Sequence, residues 1–554
     1  MWSIEDYCAS QTLWDISTAT ILHTSSQTFL TSLQLPTIHP FCTTYAANYS
    51  AYYLPHIPRQ GPLLHWEHLE TWHDVLFTVV AQVVPSLWAM MELWFRLFAF
   101  FVAPIGLLYL LQQELLPTTA KYHTLLCVWT VISAMVLWTD ELYCLEMGPR
   151  YGASTFVAVV LLAWRSTPSR FLRCMLLGLV ISTVYLVYDS TTVAPQFEEG
   201  LYYDKTRATP IVQQWPEVYR MYTPATPWMP TGDARTGLPF LLNRAPLIEW
   251  HRMWLPVHDD DSVEEVVALD IAFPPHGHDS TKPIYLVLHG LNGGSQEPYV
   301  REMAGRRLAE NSTVVVMVAR GLMDLPVRGW NVFHGARWTD VHEAARVLQK
   351  AMGPDQLLVG VGYSMGGIVL SNYVARLGTE CALHAAVAIS GGLDMRVEAQ
   401  PNRAHRLWQP IVAVELRDTF VVGKWGERVR SRLSKTQMKA LMRATNIAGI
   451  DRTAVVAYNG FRDLMHYYSE MSALGDIPFE EFDSDVIAPH RRIHNISIPF
   501  LVLQALDDPL ITWKTVASND GWKHPANLTR TGSGNLFLLL TKRGGHVGWC
   551  VFVL

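Results

Sequence analysis

Gly362-Tyr363-Ser364-Met365-Gly366 stands directly after the short apolar run LLVGV and directly before GIVLSNYVARLG, which reads as a helix. A G-x-S-x-G turn between a strand and a helix is a nucleophile elbow. The glycines follow from the chemistry. The serine sits on a strained turn, so the flanking positions carry almost no side chain, and Gly366 and Gly367 let the helix approach the sheet. A serine hydroxyl is a poor nucleophile without a base. There are 21 histidines. His546, in RGGHVGW after the last apolar strand, has the order this chemistry uses, last after serine and acid. Glycines on both sides let its ring reach the serine. Between them LQALDDPL ends a strand with Asp507 and Asp508. Asp508, just before the proline, is the expected acid, and Asp507 is the alternative. The acid would hold the imidazole tautomer and stabilise the imidazolium that forms. A tetrahedral oxyanion also needs donors. The backbone N–H of Met365 is one candidate, and that of Leu291, in the HGLNGG loop after IYLVL, is the other. A nucleotide-binding loop is the rival for that Gly-rich turn, but GxGxxG and a P-loop lysine are both missing.

These residues need a scaffold, and from about residue 280 the sequence supplies one. IYLVL (284–288), TVVVMV (313–318), LLVGV (357–361), AAVAI (385–389), FLVL (500–503) and LFLLL (536–540) are short apolar runs without polar alternation. Strands of a parallel sheet covered on both faces have this texture. Amphipathic segments such as TDVHEAARVLQKAM (339–352) lie between them, with Val341, Ala344, Ala345, Leu348 and Met352 on one helical face. Alternation of this kind predicts an α/β fold with a doubly wound sheet over 280–554. Residues 393–495 break the alternation and read as a helical, partly basic cap insertion. Residues 191–279, rich in Pro, Tyr and Trp around 190–270, read as an extended lead-in.

The first part of the chain is of another kind. The whole has 554 residues, half of them hydrophobic and only 17% charged, against roughly 25% in ordinary soluble domains. The deficit lies mainly before residue 190. Residues 1–73 carry no assignable role. Residues 74–190 read as a multi-span membrane region of about four helices, although its apolar runs are short for a span of roughly 20 residues. Arg165, Arg170 and Arg173 cluster before the last run, and the positive-inside rule places them in the cytoplasm. The C-terminal domain would then face a lumen or the exterior, and sequons at Asn311, Asn495 and Asn527 are compatible with that. The endoplasmic reticulum is one candidate membrane. MWSIEDYC has acidic residues where a signal peptide carries positive ones, so no cleavable leader is expected. The net charge of −6 shows no basic footprint for nucleic acid. The seven cysteines (8, 42, 127, 144, 174, 381 and 550) form no CxxC pair or zinc spacing.

With these motifs in hand, the chain resembles the subfamily of α/β-hydrolases that includes YheT-type bacterial hydrolases and ABHD1/ABHD3-type membrane hydrolases. HGLNGGSQEPYVREM, VVVMVARGL, GYSMGGIVLSNYVARLG, LQALDDPL and RGGHVGW carry the resemblance, with a TPW stretch near Trp228, over roughly 220–550. It implies an α/β-hydrolase fold and a Ser364–Asp508–His546 triad. It also implies hydrolysis of a lipid ester or other acyl ester at a bilayer, without metal or organic cofactor. Several apolar segments, where the family commonly has one span, are a departure. Only eight residues follow His546, where the family usually continues into a further helix, so a missing last element or a shortened gene model is expected. Acyl transfer to an alcohol through the same acyl-enzyme, and a catalytically inactive lipid- or partner-binding protein, are the competing readings. The oligomeric state stays open.

Overall fold

The structure is a computed structural model. It describes residues 22–36, 195–215, 232–242, 245–258, 264–323, 325, 333–400, 404–405, 408–417, 433–478 and 490–549. Nine strands form one sheet: β1 Gly200–Tyr202, β2 His251–His258, β3 Glu264–Ala272, β4 Ile284–Leu288, β5 Thr313–Val318, β6 Leu358–Tyr363, β7 Ala385–Ile389, β8 Phe500–Ala505 and β9 Leu536–Thr541. Their order across the sheet is β1-β9-β8-β7-β6-β4-β5-β3-β2. From β5 to β9 every neighbour is parallel. β3 joins β5, β2 joins β3, and β1 joins β9, all antiparallel.

Chain order reverses around β4, which has β5 on one side and β6 on the other. The crevice outside the carboxyl ends of strands at such a switch point is where open α/β sheets bind ligands. Here it brings the loop after β4 beside the turn after β6. The helices used below are α1 Thr24–Ser32, α2 Gly232–Leu242, α3 Pro298–Ala309, α4 Trp338–Ala351, α5 Met365–Leu377, α6 Gln409–Arg417, α7 Lys435–Met442 and α8 Leu464–Met471. Alternation along each strand sends side chains to opposite faces. Leu286, Val315 and Leu358 join Val341, Ala345 and Leu348 of α4 on one face. Val287, Val314 and Val316 meet Val300 and Ala304 of α3 on the other. α6, α7 and α8 follow β7 and precede β8, so the insertion expected at 393–495 is helical where it is described.

Two expectations change. Residues 191–279 are not merely an extended lead-in, because β1, β2 and β3 belong to the sheet. A domain boundary at 280 therefore cuts through it. β2 is an edge strand and holds Pro256, a residue that only an edge or a bulge tolerates. Its Arg252 meets Asp270 of β3 in a two-pronged ion pair at 2.6 and 2.8 Å, and these polar residues hid the strands among apolar runs. The N-terminal segment also contributes. Phe29 of α1 is buried and stacks on His278 at 4.3 Å, and the Trp254 N–H donates to Pro36 O. The expected membrane helices of 74–190 lie outside the described residues. Among the described residues no helix is long and apolar enough to cross a membrane.

Candidate active site

Ser364 stands between the last residue of β6 and the first of α5, with φ 51° and ψ −118°. Positive φ is uncommon in a residue other than glycine and marks a strained turn. The Ser364 N–H donates to Ile389 O of β7 at 2.8 Å, which ties the turn to the sheet. At Gly366 a Cβ would run into Leu288 O and His289 O. Gly366→Ala is therefore expected to lower stability by about 1–3 kcal/mol and to displace Ser364. A thermal melt together with an ester assay checks this, and a variant with wild-type melting and turnover would contradict it.

The ring of His546 reaches the serine: its Nε2 lies 2.8 Å from Ser364 Oγ. On the far side its Nδ1 lies 2.9 Å from Asp508 Oδ2 and 3.2 Å from Oδ1. A carboxylate at Nδ1 fixes the proton there and leaves Nε2 as the acceptor facing the hydroxyl. The Asp508 side chain is fully buried. Oδ1 accepts the N–H groups of Leu510 and Ile511, each at 2.9 Å, and Oδ2 accepts Gln504 Nε2 at 3.2 Å. Asp507 points elsewhere. Its Oδ1 accepts the Gly545 N–H at 2.8 Å, Oδ2 is buried without a partner, and burial pushes the carboxyl up to about 7. It supports the histidine loop from below and does not meet the ring.

The loop after β4 approaches from the opposite side. A Cβ on Gly290 would stand 3.3 Å from Ser364 Cβ. His289 anchors this loop. It is buried, its Nε2 accepts the Ala319 N–H at 3.1 Å, and its Nδ1 donates to Gly290 O at 2.7 Å. Burial holds its pKa down, so it stays neutral in that tautomer. Leu291 and Met365, the two expected oxyanion donors, both line the cavity at Ser364.

A family model described as "Alpha/beta hydrolase family" matches residues 285–552, and the sheet with its elbow at β6 has that architecture. Residues 285–552 resemble the alpha/beta hydrolases, and the sheet has their fold. The chain is 24% identical over 290 residues to a monoacylglycerol lipase of Saccharomyces cerevisiae, covering 50% of this chain and 57% of the relative. To phospholipase ABHD3 of Mus musculus it is 24% identical over 270 residues, covering 49% and 59%. To the putative esterase YheT of Escherichia coli it is 24% identical over 319 residues, covering 57% and 83%. The match thus spans 57% and 59% of the yeast and mouse relatives.

Part of this site could not be read from the motifs. The His546 N–H donates to Thr236 Oγ1 at 2.8 Å, and Thr236 Oγ1 donates to Gly232 O at 2.7 Å. Thr236 belongs to α2, in the supposed lead-in. The Val547 N–H donates to Ser390 Oγ at the end of β7, at 3.0 Å. Two donors therefore fix the loop on either side of the ring. Thr236→Val removes one acceptor and leaves the bulk, so kcat is expected to fall about tenfold, the effect of losing roughly 1.4 kcal/mol of positioning. A full loss of turnover, or none, measured beside an unchanged melt, would show that Thr236 does something else. A cavity of about 1140 Å³ opens above Ser364 and His546, with Trp408, Ile411 and Val412 of the cap insertion in its wall.

Proposed function

We propose that this chain is a serine hydrolase of lipid acyl esters, acting through Ser364, His546 and Asp508 and held at a membrane by residues 74–190. The single observation that carries the reading is the unbroken relay from Ser364 Oγ to His546 Nε2 at 2.8 Å, and from Nδ1 to Asp508 Oδ2 at 2.9 Å. In the reaction, Oγ attacks the ester carbonyl as its proton passes to Nε2. The N–H groups of Met365 and Leu291 receive the oxyanion. Collapse breaks the ester bond, and Nε2 returns the proton to the departing alcohol. Water, deprotonated by the same nitrogen, then releases the acid from the acyl-serine.

The large cavity, walled by side chains such as Ile368, Val412 and Ile511, suits an acyl chain. The names of the yeast and mouse relatives support a lipid ester in particular. The test is product analysis on a series of glycerolipid and simple esters, with and without an acceptor alcohol. Free fatty acid as the main product supports hydrolysis. Acyl transfer to the alcohol in preference to water would replace it with a transferase.

The membrane reading makes its own prediction. α1 is packed on the same core as the sheet, so residue 36 and residue 195 lie on one side of any membrane that 74–190 crosses. The number of crossings is then even, as the four expected helices require. Protease protection of sealed membranes, with one tag before residue 22 and another on the exposed turn at Asn311, should protect or expose both tags together. Tags found on opposite sides would remove the spanning arrangement. With Arg165, Arg170 and Arg173 cytoplasmic, the shared side is the lumenal or exterior one.

A further inference from the structure

The cap residues of the cavity include the apolar Met395, Ile447 and Met471 and the polar Glu398, Gln409, Glu415 and Asp451. Among the described residues, Asp451 is the one bonded to a tyrosine. This residue lines the cavity and is only 6% exposed. Tyr468 of α8 donates its hydroxyl to Asp451 Oδ2 at 3.0 Å. Oδ1 has no hydrogen-bond partner among the described residues. Tyr468 packs in one cluster with Ile368, from the first turn of α5, and with Met365 and Ile511 at its border. The pair lines the same cavity as Ser364 and Ile511. The backbone changes form at this point: Asp451–Val455 makes a single π turn between Ile447–Ile450 and Val456–Tyr458, a departure that occurs frequently at functional sites.

Carboxyl oxygens inside a protein are usually bonded within it, whereas the second oxygen of Asp451 is reached from the cavity. Asp451 has one bond from Tyr468 and an oxygen left over in a cavity. Burial lifts its carboxyl to about 7, so acid and carboxylate both occur near neutral pH. A cationic group would suit only the carboxylate, and a phosphate only the acid. A hydroxyl suits both, donating to the one and accepting from the other.

We propose that Asp451 and Tyr468 recognise an uncharged hydroxyl carried by the ester substrate and so help set its specificity. This deepens the hydrolase reading above and rests on it. The hydroxyl belongs either to the alcohol part or to the acyl chain, and the test separates the two. It compares kcat/KM for three esters of one acyl length: a monoacylglycerol, the plain methyl ester, and the methyl ester of the hydroxylated acid. Wild type is expected to prefer one hydroxylated ester over the plain one. Asp451→Leu should reduce that preference at least tenfold, Tyr468→Phe several-fold, and Asp451→Asn, which still bonds a hydroxyl, less than Asp451→Leu. Whichever hydroxylated ester shows the change identifies the side that carries the group. Unchanged preference in all three variants, equal losses on every ester with a lowered melt, or a wild type indifferent to hydroxyls would overturn the proposal. In those cases turnover of the plain ester leaves the hydrolase reading standing. Wild type inert on all three esters removes that reading and this one with it.

Discussion

His546→Ala is expected to lower kcat for ester hydrolysis by about 10⁶-fold while the protein stays folded. The ring lies between Ser364 Oγ and Asp508, and no other histidine among the described residues bonds to that hydroxyl. Its removal takes away the base that activates the serine and the acid that protonates the leaving alcohol. It adds no charge, and Asp508, which loses the Nδ1–H, keeps its three remaining donors. Melting within a few degrees of wild type should therefore accompany the kinetic loss. Residual activity above about a tenth of wild type would mean that another group deprotonates Ser364.

The second large effect separates two adjacent carboxylates. Asp508→Asn presents an amide to Nδ1, favours the wrong tautomer, and is expected to cost about 10⁴-fold in kcat. Asp507→Asn should change kcat only several-fold, because its side chain bonds the Gly545 N–H and not the ring. Its signature lies in stability. Burial raises the Asp507 carboxyl from 3.8 to about 7. The fold thus favours the protonated form, and the stability this contributes is present below the ordinary value and lost as pH rises through about 7. The asparagine variant cannot ionise. It should match wild type near pH 4 and exceed it by about 4 kcal/mol above pH 7. Melts across that range check the sign. Reversed kinetics, with Asp507→Asn crippled and Asp508→Asn active, would exchange the roles.

The sequence reading and the structure agree where one physical signal dominates. β5 is TVVVMV, buried along its whole length, and an uninterrupted apolar run has few other meanings. The elbow is legible because Ser364 lies between such a run and an amphipathic helix. Asp508 was separable from Asp507 only by a rule about the proline, whereas the bonds from Leu510 and Ile511 supply the physical reason: the turn after Pro509 closes on the Asp508 carboxylate. β2 and β3 were missed because Pro256 and the Arg252–Asp270 pair break the apolar texture, and their pairing is visible only in three dimensions. Thr236 was missed for a similar reason. It lies 310 residues before His546, and a single threonine donates and accepts too readily to announce a partner. Nor does the isolated Phe29 in a polar stretch indicate that it reaches the core.

The central claim is that Ser364 is an activated nucleophile. The most direct test is labelling by a fluorophosphonate probe, which loses fluoride and phosphonylates only a serine whose hydroxyl is activated, on membranes expressing the full chain and its Ser364→Ala variant. The account predicts strong labelling of wild type, on the tryptic peptide that holds Ser364, and none of the variant. A folded wild type that takes up no label, or a Ser364→Ala variant that labels as well as wild type, would contradict it.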